Sequence, residues 1–156
     1  MQSLNIQIMD LTRLKWTKNV NHKDIEWAYQ NIDLDSKVFE LHWKPDNTEN
    51  AQRPKEGELI IIRQRTKVTH IVELLNNTLY PAKTESCWIY RLVRAVWMAE
   101  FWSEPPKQDD VFGHSLNLQG GKVMEIENLG AFKERWCDKG GLSAFQKHIS
   151  KKLKLK

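Results

Sequence analysis

Two of the seven tryptophans in this 156-residue chain stand where an indole can meet a ligand. Trp43 ends the run VFELHW, and Trp102 lies in the polar loop EFWSEPPKQDD. In each place the ring either stacks on a flat ligand or packs inward, and the residues leave both readings open. Asn47 and Ser103 follow these tryptophans in their loops, and Arg63, Gln64 and Arg65 form the end of another strand-like run. Asn47, Ser103 and Gln64 bring donors and acceptors for the polar edge of such a ligand, and the arginines bring cations that stack or hold phosphate. Trp88, Trp97 and Trp136 fall within periodic segments and are expected in the core. His70, flanked by valines on one strand face, reads as a satisfied core histidine, whereas His114 in FGHS is a loop histidine within reach of acid-base work. Lys67, Thr69 and Glu73 crowd one hairpin without the pattern of an activated nucleophile. Cys87 and Cys137 are far apart, with no CxxC and no neighbouring histidine pair, so no disulfide framework, metal site or cofactor is expected, and both thiols are read as buried or inert.

The elements that must position these groups are mostly strands. GELIIIRQR is apolar on both faces, as in a strand buried on both sides. KVTHIVELL alternates, with Val68, His70, Val72 and Leu74 opposite Thr69, Ile71 and Glu73, and the tight QRTK connection makes the two runs a hairpin. WIYRLVRAVWMA would span roughly 40 Å at about 3.3 Å per residue, so it should bend or bulge near Arg94. Arg91 and Arg94 then fall on opposite faces and are expected in exposed ion pairs. VFELHW, residues 38–43, is an earlier strand stopped by Pro45, and KPDNTENAQRPKEGE is a long polar loop. GGKVMEI is a last strand after a Gly-Gly turn. Leu129, Phe132 and Trp136 mark a helix face ended by Gly140 and Gly141, and Ser143 is expected to cap a final helix bearing Phe145, Ile149 and Leu153. Residues up to Asn19 are expected to be irregular apart from an edge strand in LNIQIMDL, and Asn21 to cap a helix over 22–33.

The length fits one domain, with an N-terminal extension over 1–35, barrel strands over 38–127 and helices over 128–156. The fold class is α+β: a small bent or closed β-barrel of five to six strands with flanking helices. No apolar run reaches the roughly 20 residues of a membrane helix, and no leader pattern opens the chain, so a cytoplasmic protein without membrane contact is expected. The net charge of +4 is concentrated in KHISKKLKLK, whose five lysines set aside leave 19 of the 24 basic residues against 20 acidic ones. That tail either touches phosphate or simply suits a helix C-terminus.

The order GELIIIRQRTKVTHIVELL, WIYRLVRAVWMA, PPKQDDVFG, GGKVMEI and FQKHI resembles the PUA-like barrels, and among them the EVE-type domains related to YTH domains. The resemblance covers roughly Val38 to Leu153, and it includes the Pro-x-x-Gly step Pro54–Gly57 and the Thr-His-Ile-Val step Thr69–Val72. The loop from Lys44 to Glu58 is shorter than the helical insertion many EVE domains carry there. The resemblance implies a rim pocket that holds a modified or unpaired base of DNA or RNA between aromatic side chains. Matched by place, Trp43 and the Arg63, Gln64, Arg65 group would line that pocket, with Trp102 as second aromatic. Stacking there is worth about 1–3 kcal/mol per base, and Gln64, Asn47 or Ser103 would read the Watson–Crick edge. Two alternatives accompany it: a sensor or accessory domain that binds a protein partner, and an amidohydrolase of the related ASCH type acting on modified nucleosides through Lys67, Thr69 and Glu73.

Overall fold

Apolar strand runs that are buried on both faces need a layer on each side, and the structure supplies them with one curled sheet. It is a computed structural model that describes residues 9–20, 27–81, 88–117 and 120–155. Its strands are β1 (Leu14–Asn19), β2 (Val38–Trp43), β3 (Leu59–Gln64), β4 (Lys67–Leu74), β5 (Ile89–Met98) and β6 (Val123–Glu125). Its helices are the short α1 (Thr48–Ala51) and α2 (Gln108–Phe112), then α3 (Gly130–Trp136) and α4 (Gly141–Lys152). The sheet runs β2-β5-β4-β3-β1-β6; β1 and β3 are parallel and every other pair is antiparallel. The architecture is α+β, a mixed six-stranded half-barrel.

Alternation along β3 explains the two layers. Leu59 and Ile61 join the outer core with Phe112, Phe132, Trp136, Phe145 and Ile149 of the helices, while Ile60 and Ile62 face the concave side with Leu41, Trp43, Val72 and Val93. Three irregularities curl the sheet, since each extra residue bends its strand and turns the following side chains. Lys15 is unpaired between Leu14↔Leu59 and Trp16↔Ile60, Thr69 between the partners of Ile62 and Arg63, and Val96 between the partners of Ile71 and Val72. The last of these is the bulge expected near Arg94. The one at Thr69 moves Val68 off the face of His70 and into the outer core.

The half-barrel is closed by a side chain. Asn50 of α1 donates to the Val123 carbonyl (2.9 Å) and accepts from the Val123 N–H (2.7 Å), so its amide stands in for a neighbouring strand at the edge of β6. Its oxygen also accepts from Trp43 Nε1 (3.1 Å). The loop below is held by Arg91, which donates to the carbonyls of Ala51, Pro54 and Asn76 at 2.7–2.8 Å.

Several expectations change. Residues 14–19 form a strand between β3 and β6; the Lys15 bulge breaks the alternation, and Lys18 points a charged group into the interior, so the segment does not read as a strand. Residues 4–8 and 21–26 lie outside the described residues, as does the expected cap Asn21; Met9 and Asp10 are not in a strand, and residues 27–33 form turns rather than a helix. Trp88 precedes β5 and is 36% exposed instead of buried. Arg91 is buried, not an exposed ion pair, because three carbonyls receive its guanidinium. Arg94 does pair with Glu73, at 2.7 Å. Gly140, with φ of 108°, is the N-cap of α4, which places Ser143 inside the helix rather than at its cap. Cys137 is exposed, and Cys87 lies outside the described residues. Among the described residues no helix is long and apolar enough to cross a membrane.

Candidate functional site

The bulge at Thr69 sets up the site, because it turns Thr69 toward the same side as its neighbour His70. Gln64, at the end of β3, donates to Thr69 Oγ1 (2.9 Å), the Thr69 hydroxyl donates to His70 Nδ1 (2.8 Å), and His70 Nε2–H donates to the Tyr29 carbonyl (2.9 Å). With the imidazole neutral, the Tyr29 carbonyl requires the tautomer protonated at Nε2, and the Thr69 hydroxyl then donates to Nδ1. Burial agrees, pushing His70 down to about 4. Gln64 also pairs with both backbone groups of Ala28, accepting from its N–H (2.7 Å) and donating to its carbonyl (3.0 Å). Residues 27–32 are thereby strapped across the end of the sheet. Tyr29 takes a left-handed φ of 60° there, an unfavourable conformation for a tyrosine that the surrounding hydrogen bonds hold in place.

The strap brings aromatic rings together. Tyr29 lies 4.6 Å from Phe39, Phe39 5.6 Å from His70, His70 5.5 Å from Trp102, and Trp102 6.1 Å from Trp27, all between ring centroids. Beside them is a cavity of about 400 Å³, apolar along Trp27, Tyr29, Ile32 and Phe39 and polar along Gln30, Asn31, Glu40 and His42. Its polar edge is ordered: the Tyr29 hydroxyl accepts from the His42 N–H (3.1 Å) and meets His42 Nδ1 at 3.3 Å, and Glu40 lies 3.6 Å from His42 Nε2. Burial holds His42 below its ordinary value and raises Tyr29 to about 12. The edge thus offers a phenol, a neutral imidazole and the Glu40 carboxyl group as hydrogen-bonding partners.

Of the residues singled out in the sequence, Trp102 lies in this aromatic group, and Gln64 supports it from behind. Ser103 is exposed in the Trp102 loop, and Arg65 is exposed at the β3–β4 turn. Trp43 is fully buried under Lys18, whose Nζ sits 4.8 Å above the ring, so it offers no face to a ligand. Arg63 is buried as well; its Nε donates to Thr17 Oγ1 (2.7 Å), and burial lowers it to about 10. Asn47 lines a different cavity, beside α1. Trp27, Tyr29, Phe39 and His42 were missed as site residues. The one available signal was two aromatics, Trp27 and Tyr29, only two positions apart in a segment whose spacing predicts a helix.

The hydrolase set does not assemble. The Thr69 hydroxyl is engaged by Gln64 and His70, Glu73 by Arg94, and Lys67 and Glu73 are separated by six positions of one strand, roughly 20 Å. His114 is half-buried, its Nδ1 3.0 Å from the Ser115 carbonyl. Among the described residues no three His, Cys, Asp or Glu side chains are grouped to hold a metal. Comparison with known proteins finds no matching family, no similar curated protein and no similar solved structure.

Proposed function

We propose that this chain is a nucleic-acid-binding module of the PUA-like, EVE-related kind, which takes one modified or unpaired base of DNA or RNA into the cavity beside Trp27, Tyr29 and Phe39. The curled mixed sheet with helices on its outer face supports the fold assignment. The observation that carries the functional reading is the aromatic cavity with an ordered polar edge. Its 400 Å³ is within the roughly 300–1,000 Å³ of small-molecule sites, and a base needs both an apolar face and a reader for its edge. Trp27 lines the cavity and stacks the base, Trp102, partly exposed, backs Trp27 at 6.1 Å between ring centroids, and Gln30, Asn31, Glu40 and His42 meet the Watson–Crick edge. Arg65 and Lys67 stand at the β3–β4 hairpin, where the backbone of Lys67 bridges to that of Lys107 in the Trp102 loop, and these cations provide an approach for the nucleic-acid backbone, with Glu100 and Glu104 in the same loop as Lys107.

The test is tryptophan fluorescence during titration with nucleosides and with short oligonucleotides, unmodified or carrying methylated cytosine or adenine, at two salt concentrations. Base-dependent quenching that persists at the higher salt is expected. Trp27→Phe and Trp102→Ala should each weaken binding about tenfold, which corresponds to roughly 1.4 kcal/mol of stacking. Quenching that is indifferent to the base and vanishes with salt would refute the reading and leave the protein-partner alternative, for which Phe101, 67% exposed beside Trp102, is the candidate contact.

A further inference from the structure

Lys18 is the most anomalous charged group in the structure. It leaves β1 toward the concave interior, where the residue is only 2% exposed, and among the described residues its Nζ makes one hydrogen bond, to the Gly121 carbonyl at 2.6 Å. The Trp43 ring lies on its other side. Among the described residues no carboxylate is within ion-pair reach of it; the charged or titratable groups felt nearby are Arg63 and His42, neither of which supplies negative charge. Buried ammonium groups are ordinarily paired. Lys18 therefore either gives up its proton or waits for an anion, and burial with Arg63 nearby does lower it, to about 7.

The carbonyl that holds Lys18 belongs to the lining of a second cavity, of about 730 Å³, between the segment that follows β2 and the one that leads into β6. Lys44 and Lys122 are on its rim, both exposed, and among the described residues neither is in an ion pair. Its two carboxylates differ. Glu125 is already engaged, by Arg53 at 3.5 Å and by Asn128 at 2.8 Å, whereas Asp46 is exposed at the outer end. Asn47 adds an amide. At Gly121 a β-carbon would lie 3.6 Å from Lys18 Nζ, so any longer side chain there would extend across the ammonium.

We propose that this cavity is a phosphate site, in which Lys44 and Lys122 meet the anion from the rim and Lys18 completes its charge from beneath the glycine floor. A phosphate fits because it can accept from several cations and an amide at once. The site depends on the nucleic-acid reading only for the source of the phosphate, which is a polynucleotide backbone, a free nucleotide or an inorganic anion. In the first case the backbone would run along β2, with Glu40 and His42 in the base cavity and Lys44 at the start of the phosphate site.

Calorimetric titration of the full chain with pyrophosphate, a 5′-mononucleotide and a short single-stranded oligonucleotide separates these sources. The Lys44→Glu/Lys122→Glu variant is expected to bind at least tenfold more weakly, and Lys151→Glu/Lys152→Glu, which changes only the terminal helix, is expected to bind as the parent does. Lys18→Met fills the same space without the charge and should weaken binding by a similar factor. Gly121→Leu tests the same point without altering Lys18, and should do likewise by covering the ammonium. In NMR spectra of the lysine ammonium and methylene groups, phosphate should move the Lys18 midpoint upward. Response to the oligonucleotide alone would assign the site to a polymer backbone. Binding lost in the tail variant and kept in the cavity variants, or no binding of any of the three, would overturn the proposal. A phosphate-free nucleoside that quenches Trp27 and Trp102 reports on the base cavity independently, so either reading can fail without the other.

Discussion

Lowering the pH from 7 to 5 should destabilise this fold through one imidazole. His70 is held neutral by burial and by its place between the Thr69 hydroxyl and the Tyr29 carbonyl, and it titrates at about 4 when folded. In the unfolded chain it titrates near 6.5. Between those values the unfolded state binds more protons, so stability is full above about pH 6.5 and falls as the pH drops toward the folded value. The separation corresponds to about 3 kcal/mol at its limit, of which about 2 kcal/mol is lost by pH 5. With a urea dependence of about 2 kcal/mol per molar, the denaturation midpoint should fall by about 1 M. His42 and His148 are also held below their ordinary values by burial, and both contribute in the same direction. The contribution of His70 is therefore the difference between the parent chain and His70→Gln, measured by urea denaturation at pH 7, 6 and 5. The variant should be less stable at pH 7 and lose about 1 M less of its midpoint over the range. Parallel losses in the two proteins would refute the assignment of a neutral, buried His70 to the Thr69–Tyr29 bridge.

Asn50→Ala should destabilise the fold by about 3 kcal/mol, from three hydrogen bonds at about 1 kcal/mol each, and amide exchange should show Val123 losing protection before the strands of the β3–β4 hairpin do. Arg91→Lys should cost about 2 kcal/mol in thermal or chemical denaturation, because an ammonium reaches fewer of the three carbonyls than the guanidinium fork does. Gly57→Ala should destabilise by about 1–2 kcal/mol in the same assay, since φ there is 85° and the new methyl meets the Arg13 guanidinium.

The meander of β3, β4 and β5 was legible in the sequence because its apolar periodicity and its hairpin turn state the same answer. So were the faces of α3 and α4, whose buried positions recur at helical spacing. What escaped depends on distant partners. β1 has a bulge at Lys15 and a buried lysine, and becomes a strand by lying between β3 and β6. The strap at residues 27–32 takes its shape from Gln64 and His70, about forty residues further on, which override the helical spacing of its own side chains. Trp43 looked open because a polar loop follows it, yet Asn50 of that loop folds back over its indole N–H. Trp102 was found because a large aromatic in a polar loop has few local reasons to be there. The polar edge of the neighbouring cavity, with Glu40 and His42 on the outward positions of β2, had no comparable signal.

The parallel pairing of β1 with β3 also fixes an order of events in the making of the protein. Thr17 and Ile61, joined across that pair, are 44 positions apart, and Lys18 and Gly121 are 103 apart. β1 is thus synthesised before both of the strands that enclose it. The hairpin of β3 and β4 can form from local contacts alone, but β1 has no strand partner until β3 exists, and its outer edge has none until β6 has been synthesised. Throughout that interval Trp16 and Val20 lack their concave neighbours, and the nascent chain carries an adhesive stretch. Lys15 and Lys18 flank Trp16, and before enclosure both are hydrated charges. The lysine that is hardest to accommodate in the finished interior therefore keeps the unfinished chain apart from its neighbours.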